Sequence, residues 1–459
     1  MQFPDHIFKA YDIRGLIEGE LSEDLAYRLG YAFVHFLVHN AGADMENLTV
    51  VVGRDMRPTS IPFSTALMRG LTEAGAHVVN IGLTSTCVFN FACAHYPSHV
   101  GGIMVTASHN PAPYNGFKMT LHNGLPIGKG SGMAEIKELA QTAVFTKAEV
   151  SGTVEERDVR PDYIDRVYGL VDTKSIAPLK LVIDGGNGMG DVTFKTWLDR
   201  LPVDVAYMYM EPDGTFPNHE ANPLKVETLK DLQAKVLEVG ADFGFALDGD
   251  ADRIGLVNEK GEVVDASLVG ALIGKEVLLK HPDIHMLYDL RSSHIVKETW
   301  EKNGATTDMC PVGHALIKNM MHKDNAQFAR ELSLHLYFGD MYNVESTDLC
   351  LLYILELLSR EKKPLSEVVS SLESPYAHSG EHNFEVEDKD TVIARIEEKY
   401  KEDAKEVSHL DGLWMSFDWG WVSIRKSNTE SVLRLNLETR SRELTDEKVR
   451  EFKSYFTSS

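Results

Sequence analysis

Residues Val105 to Met119 read V-T-A-S-H-N-P-A-P-Y-N-G-F-K-M, an apolar run that stops at a hydroxyl, Ser108, and gives way at once to turn residues. The preceding stretch, His99 to Val105, predicts a buried strand, and Asn110-Pro111, Pro113 and Asn115-Gly116 turn the chain directly after it. Ser108 is thereby placed at the carboxyl end of a strand, where open α/β sheets bind ligands. His109 and Lys118 flank it, one as a candidate proton carrier and the other as a fixed cation. The same residues also suit a local hydrogen-bonded turn without chemistry, and from this segment alone both readings stand.

The neighbouring segments repeat one order. Thr49 to Gly53 is a β-branched run followed by G-R-D-M-R-P-T-S, then a helix running to Gly75 with Ser60 as its expected N-cap, then a strand over Ala76 to Gly82. Strand, charged turn and helix in succession make an α/β unit. Leu21 to Val38 has helical spacing, and F-K-A-Y-D-I-R-G (Phe8 to Gly15) brings Arg14 to the end of a short apolar-polar alternation. Arg54 and Arg57 either bind an anion or pair with Asp55.

A second unit follows the charged, broken stretch Lys147 to Asp162. Lys180 to Asp184 predicts a strand, and G-G-N-G-M-G (Gly185 to Gly190) precedes a helix. The third glycine of the dinucleotide fingerprint is missing at its spacing, so this turn reads as tight strand-to-helix packing. After an amphipathic helix over Leu229 to Val239, the strand Ala241 to Leu247 delivers D-G-D-A-D, Asp248 to Asp252, and then Arg253. Three carboxylates at alternate positions repel one another unless a cation lies between them, and hard oxygen donors at this density suit Mg²⁺ or Ca²⁺. An EF-hand fails, because Arg253 stands where that loop needs glycine and the flanks predict strands. A solvated acidic turn is the other alternative.

A third unit comprises the hairpin Ile254 to Val264, the helix Ala266 to Lys280, the strand His285 to Leu290 ending at Arg291, and a helix from Ser293 to Glu301. P-V-G-H then places His314 near a helix amino terminus, where anions are favoured. F-A-R-E-L-S-L-H, Phe328 to His335, predicts a strand whose alternation puts Glu331, Ser333 and His335 on one face. Beyond the helical stretch Thr347 to Leu372 the pattern changes. Strands over Glu381 to Val386, Trp414 to Ile424 and Val432 to Leu437, with helices at Thr391 to Lys401 and Asp446 to Phe456, predict an α+β domain. Its loop I-R-K-S-N-T-E-S-V-L-R gathers Arg425, Ser427, Asn428, Thr429 and Arg434, the donors that a phosphate dianion requires.

Composition sets the bounds. A chain of 459 residues fits three or four domains. A net charge of -23 repels nucleic acid and anionic membrane surfaces, so an anionic substrate has to be drawn by local cations. No apolar run is long enough to cross a bilayer. Met1 to Gly15 has no apolar core of an export signal, which makes cytoplasmic the expected location. Cys87, Cys93, Cys310 and Cys350 lack the spacing of a zinc site or a disulfide framework. The oligomeric state is not legible.

Taken together, these motifs resemble the α-D-phosphohexomutase superfamily, specifically its bacterial phosphomannomutase/phosphoglucomutase group, over nearly the whole chain. T-A-S-H-N-P with N-G-F-K is similar to the family's phosphoserine loop, D-G-D-A-D-R to its magnesium loop, P-V-G-H and E-L-S-L-H to its sugar loops, and R-K-S-N-T-E to its phosphate loop. The resemblance implies an α/β protein of three similar mixed domains plus a C-terminal α+β domain around a central cleft. The expected divisions are 1–150 for the phosphoserine loop, 151–255 for the metal loop, 256–370 for the sugar loops and 371–459 for the phosphate loop.

It also implies that Ser108 carries a phosphoryl group and, with Asp248, Asp250 and Asp252, holds Mg²⁺. Glu331 and Ser333 would hold sugar hydroxyls, while Arg425, Ser427, Asn428 and Thr429 hold the phosphate that is not reacting. Tyr11, Arg14, Lys118, Arg253, Arg291, His314 and His335 match positions lining the cleft, with Lys118 and His335 as proton-transfer participants. The implied reaction interconverts hexose 1-phosphate and hexose 6-phosphate, of mannose or glucose, through a hexose 1,6-bisphosphate that also primes the enzyme. Arg330 and Leu334 replace two glycines of the usual sugar loop, and Ser431 stands where proline is common. Two rival readings follow: a phosphatase with Asp248 as nucleophile and Asp250 as acid, and a catalytically impaired sugar-phosphate-binding relative.

Overall fold

The computed structural model describes residues 3–45, 48–427 and 432–457. They form two compact units, one of Met1–Asp265 with Ser333–Val369 and the other of Ala266–Leu332 with Ser370–Ser459.

The first unit holds two mixed sheets. In the larger, the strands run in the order Ile13–Leu16, Tyr114–Leu121, His99–Val105, Thr49–Arg54, His77–Leu83, Val154–Glu156. The last four pair in parallel, and Tyr114–Leu121 runs antiparallel to both of its neighbours. The smaller sheet is ordered Ile254–Asn258, Phe243–Leu247, Leu179–Asp184, Val203–Met208, again parallel at its centre with one antiparallel edge. Parallel strands need crossovers, and helices cover the sheet to supply them. Helix Glu23–His39 shows the logic locally. Ser22 Oγ accepts from the Leu25 amide at 3.1 Å and so caps it, and its buried stripe includes Leu25, Leu29, Phe33 and Phe36. It packs on helix Ser60–Glu73 at glycines, because a Cβ on Gly70 would lie 2.0 Å from the Tyr27 carbonyl oxygen. The hairpin Leu336–Phe338 with Val344–Glu345, and the buried helix Thr347–Glu361, complete the unit.

The second unit carries parallel strands Thr306–Cys310, His285–Asp289 and Phe328–Arg330, and a wholly antiparallel sheet built around Leu413–Phe417, Gly420–Lys426 and Leu433–Thr439. The latter is backed by helices Lys389–Tyr400 and Arg442–Thr457 over a core that includes Ile396, Met415, Val422, Leu435 and Phe452. The expected α/β class with a different C-terminal domain is what the molecule has. No helix among the described residues is long and apolar enough to cross a membrane, and all four cysteines are buried thiols.

Five local expectations are corrected. Ser60 is the first residue of its helix and caps nothing; its hydroxyl donates to Asp55 Oδ1 at 2.6 Å. Lys147 to Asp162 is not wholly irregular, since Val154–Glu156 adds a parallel edge strand. The glycine turn after Asp184 leads into a 3-10 turn, Met189–Val192, and only a short helix, Phe194–Leu198. Trp414 to Ile424 is two strands, because the chain reverses at Asp418-Trp419, where Gly420 lies so close to the Glu438 carbonyl that a Cβ would clash at 1.8 Å. Phe328 to His335 is a strand only to Arg330, then a turn. Leu334 there adopts a left-handed φ of 58°, which ends extended pairing and breaks the alternation assumed for Glu331, Ser333 and His335.

Candidate active site

In the first unit Ser108 follows strand His99–Val105 and takes φ 50°, a left-handed conformation that costs a non-glycine residue about 1–2 kcal/mol. Its amide donates to Thr106 Oγ1 at 3.0 Å. Arg57 holds the rest of the loop. Its guanidinium donates to the carbonyls of Ser108 (2.9 Å), Asn110 (2.5 Å), Pro111 (2.9 Å) and Tyr114 (2.8 Å), and to Asp55 Oδ2 at 3.1 Å. The choice left open for Arg57, anion or Asp55, is settled for the ion pair, and the four carbonyls could not have been foreseen. Arg54 lies part-buried beside it, with Nη1 3.5 Å from the Asp55 carbonyl oxygen.

Ser108 Oγ donates to Asp248 Oδ2 at 3.1 Å and lies 3.3 Å from His109 Nδ1. The acidic loop therefore meets the hydroxyl. Oxygens of Asp248, Asp250 and Asp252 all lie within 4.8 Å of one another, and all three residues are buried. Asp248 Oδ1 accepts from the amides of Asp252 and Arg253 at 3.0 and 3.1 Å. Lys118 Nζ bridges Asp250 Oδ2 (2.6 Å) and Asp252 Oδ2 (2.8 Å). Thr86, at the start of helix Thr86–His95, donates to Asp250 Oδ2 at 2.6 Å. Ala251 sits at φ 56°, and its carbonyl is pinned by Cys87 Sγ (3.2 Å) and Thr347 Oγ1 (3.0 Å).

The electrostatics follow from burial. Burial and the charges of Asp252 and Asp250 push the Asp248 carboxyl well up, which is how clustered carboxylates respond when cations do not fully offset them. Burial also favours a protonated Asp252, but Lys118 and His335 outweigh it and hold that carboxyl well down. His109 is kept neutral by burial and by Arg253 and Arg14. Burial disfavours the Lys118 ammonium, yet Asp250 and Asp252 outweigh it and raise its pKa, so Lys118 stays charged between the two carboxylates. Asp250 Oδ1 is buried with no hydrogen-bond partner among the described residues. An all-oxygen donor set with an unpaired buried carboxylate oxygen fits a hard divalent cation.

His335 is buried against the acidic loop. Its Nε2 lies 3.1 Å from Arg253 Nε and 3.2 Å from Asp252 Oδ1, and its Nδ1 lies 2.9 Å from Ser333 Oγ. The ring thus bridges the Ser333 hydroxyl, the Arg253 guanidinium and the Asp252 carboxylate. Arg14 donates to Asn110 Oδ1 at 2.7 Å, joining the Ser108 loop, and Tyr11 is half-buried just before the same strand. Asp248 is buried, its Oδ2 accepting from Ser108 Oγ and its Oδ1 from two backbone amides.

In the second unit Arg291 follows strand His285–Asp289 and is clamped by Asp289 Oδ2 at 3.0 and 2.6 Å. Glu331 Oε2 lies 3.6 Å from Arg291, and the Leu332 amide donates to Asp289. Arg425 and Arg434, on neighbouring strands, converge with Arg291 on Glu381, a residue that no sequence pattern singles out. Ser427 is described; Asn428, Thr429 and Ser431 lie outside the described residues. His314 is the first residue of helix His314–Asp324. Arg330 turns inward, fully buried, donating to Ser292 Oγ (2.9 Å) and the Glu331 carbonyl (2.6 Å). It packs against Gly270, where a Cβ would meet its Nε at 2.7 Å.

Four successive family profiles match the chain: Phosphoglucomutase/phosphomannomutase alpha/beta/alpha domain I over residues 5–147, domain II over 161–261, domain III over 265–376, and the C-terminal domain over 381–453. A phosphomannomutase of Salmonella typhimurium is 37% identical over 441 residues, 94% of each chain. A phosphomannomutase of Vibrio cholerae is 37% identical over 452 residues, 97% of this chain and 96% of its own. The crystal structure of a phosphoglucomutase/phosphomannomutase family protein from Burkholderia thailandensis superposes with a TM-score of 0.89 at 32% identity, covering 99% of this chain and 97% of that one. None of these matches supports the impaired-relative alternative. With its serine and acidic loops in contact and all four profiles in order, the chain belongs to the phosphoglucomutase/phosphomannomutase family of α-D-phosphohexomutases.

Proposed function

We propose that this protein interconverts the 1- and 6-phosphates of a hexose, mannose or glucose, by moving a phosphoryl group through Ser108. The observation that carries the reading is the hydroxyl of Ser108 resting 3.1 Å from Asp248 Oδ2, at the edge of a buried three-carboxylate cluster. A serine held in left-handed backbone by Arg57 presents Oγ in one direction, the preorganisation that group transfer requires.

In the first half-reaction the Oγ–phosphorus bond of phosphorylated Ser108 breaks as a sugar hydroxyl oxygen bonds to the same phosphorus. The hydroxyl proton passes to His335, and the departing Ser108 Oγ takes up a proton, so that no serine alkoxide is left. In the second half-reaction Ser108 Oγ bonds to the phosphorus of the other phosphate of the hexose 1,6-bisphosphate and gives up its proton as that phosphorus parts from its sugar oxygen, which takes a proton back from His335. Asp248, Asp250, Asp252 and Ser108 would hold Mg²⁺, which supplies charge neutralisation at the phosphoryl group. Lys118 fixes two of these carboxylates, and Arg14 and Arg253 add positive charge beside a group carrying nearly two negative charges. Glu331 and Ser333 are assigned to sugar hydroxyls. Arg291, His314, Arg425, Ser427 and Arg434, with Asn428 and Thr429, are assigned to the non-reacting phosphate, and Tyr11 to the sugar's surroundings. We place the reaction in the cytoplasm, consistent with the free thiols.

A coupled assay with glucose 1-phosphate and mannose 1-phosphate, primed by the matching 1,6-bisphosphate, tests this. Turnover lost in Ser108→Ala supports the reading; full turnover in that variant contradicts it.

A further inference from the structure

Arg425 and Arg434 stand directly opposite each other on adjacent antiparallel strands, a placement that like charges disfavour. Arg291 brings a third guanidinium, already matched by Asp289 at 2.6 Å. What joins them is Glu381, immediately before strand His382–Phe384. Its Oε1 accepts from Arg434 Nη1 at 2.9 Å, and its Oε2 lies 3.3 Å from Arg291 Nη1 and 3.5 Å from Arg425 Nη2. Burial pushes the Glu381 carboxyl up, but Arg291, Arg434 and Arg425 outweigh it and keep it ionised. Burial and Arg291 in turn push the Arg425 guanidinium down from its ordinary value. With Asp289 matching Arg291, Glu381 offsets part of the charge that Arg425 and Arg434 offer to a second anion, beside the smaller contributions of Glu331 and Asp411.

We propose that Glu381 is a resident counter-anion that limits how tightly this arginine cluster holds a phosphate, so that a bisphosphate is released to present its other end. The inference rests on the mutase reading above. A mutase whose cluster bound phosphate too tightly would stall with the intermediate bound, because one set of cations has to let go of one phosphate and accept the other. Glu381 is thus a positioning and tuning residue and takes no part in bond making.

The test is Glu381→Gln, which keeps the shape and an acceptor oxygen but removes the charge. Inorganic phosphate binding is measured by calorimetry at several salt concentrations, with melting temperatures on the same samples and steady-state kinetics beside them. Phosphate is expected to bind roughly five- to tenfold more tightly, the effect of one partly exposed charge partner. The phosphate-dependent rise in melting temperature should be larger than in wild type, which reports binding even where the free variant is less stable. KM and kcat should fall together. Glu381→Asp, which keeps the charge, should bind phosphate within about threefold of wild type. Weaker or unchanged phosphate binding in Glu381→Gln would overturn the inference, since a purely structural Glu381 would loosen the arginines on losing its charge. Tighter phosphate binding in a protein with no isomerase turnover would sustain the role of Glu381 and overturn the mutase reading instead.

Discussion

Replacing Arg57 by methionine removes the scaffold of the Ser108 loop while leaving every proposed reacting group in place. Arg57 is 1% exposed, and its side chain makes five hydrogen bonds, four of them to backbone carbonyls between Ser108 and Tyr114. Asp55 retains partners in the variant, because Ser60 Oγ and the Arg57 amide still donate to it at 2.6 and 3.0 Å. The cost therefore falls on the carbonyls. Each buried acceptor left unpaired costs about 1–3 kcal/mol, but the loop relaxes, so the sum is not additive. Breaking a buried charged network by removing one partner typically costs about 3–5 kcal/mol, and we take that range. For a unit of this size it corresponds to a melting-point loss of roughly 5–8 °C. A displacement of Ser108 Oγ by about 1 Å lowers kcat by about a hundredfold. Arg57→Lys, which keeps the charge beside Asp55 but cannot reach four carbonyls, should be intermediate in both. Differential scanning calorimetry and the coupled isomerase assay read the two effects. An Arg57→Met protein that melts within about 1 °C of wild type and turns over normally would refute the claim that Arg57 fixes the nucleophile.

Thr86→Val removes the hydroxyl that donates to Asp250 Oδ2; the Mg²⁺ concentration for half-maximal activity should rise about 10- to 100-fold, as for other residues that orient metal ligands. Leu334→Gly relieves about 1–2 kcal/mol of left-handed strain but gives up about 2–3 kcal/mol of apolar burial, so urea denaturation should show a small net loss; a gain in stability would mean that the strain dominates. His219 Nε2 lies 3.0 Å from Asp184 Oδ2, and that hydrogen bond raises the histidine pKa. Its contribution is fully present below the unfolded-state value of about 6.5 and is lost as pH rises through the raised folded value. The stability difference between wild type and His219→Gln should therefore be larger at pH 5.5 than at pH 8.5, each pH being about one to two units from that value, and a pH-independent difference would exclude the linkage.

The parts of the molecule that were legible in sequence are those whose signal is local. The apolar run before Ser108 and the turn residues after it placed the serine at a strand end, and carboxylates at alternate positions after Ala241 to Leu247 marked the acidic loop. What escaped is long-range. The Arg57 guanidinium reaches carbonyls more than fifty positions away, and Thr86, Cys87 and Thr347 brace the acidic loop from helices distant in sequence. Glu381 lies just before a short strand, His382–Phe384, and gains its meaning only from the pairing of Arg425 with Arg434. The extended reading of Phe328 to His335 failed because a leucine at φ 58° is invisible to periodicity. Arg330, which stands in place of a glycine of the usual sugar loop, points inward to Ser292 and the Glu331 carbonyl.

The most direct measurement is a rapid-quench single turnover of protein radiolabelled on Ser108, mixed with unlabelled glucose 6-phosphate or mannose 6-phosphate. The account predicts that label leaves the protein as hexose 1,6-bisphosphate as fast as, or faster than, the steady-state turnover. Label released as inorganic phosphate, or retained on the protein while isomerisation proceeds, would contradict it.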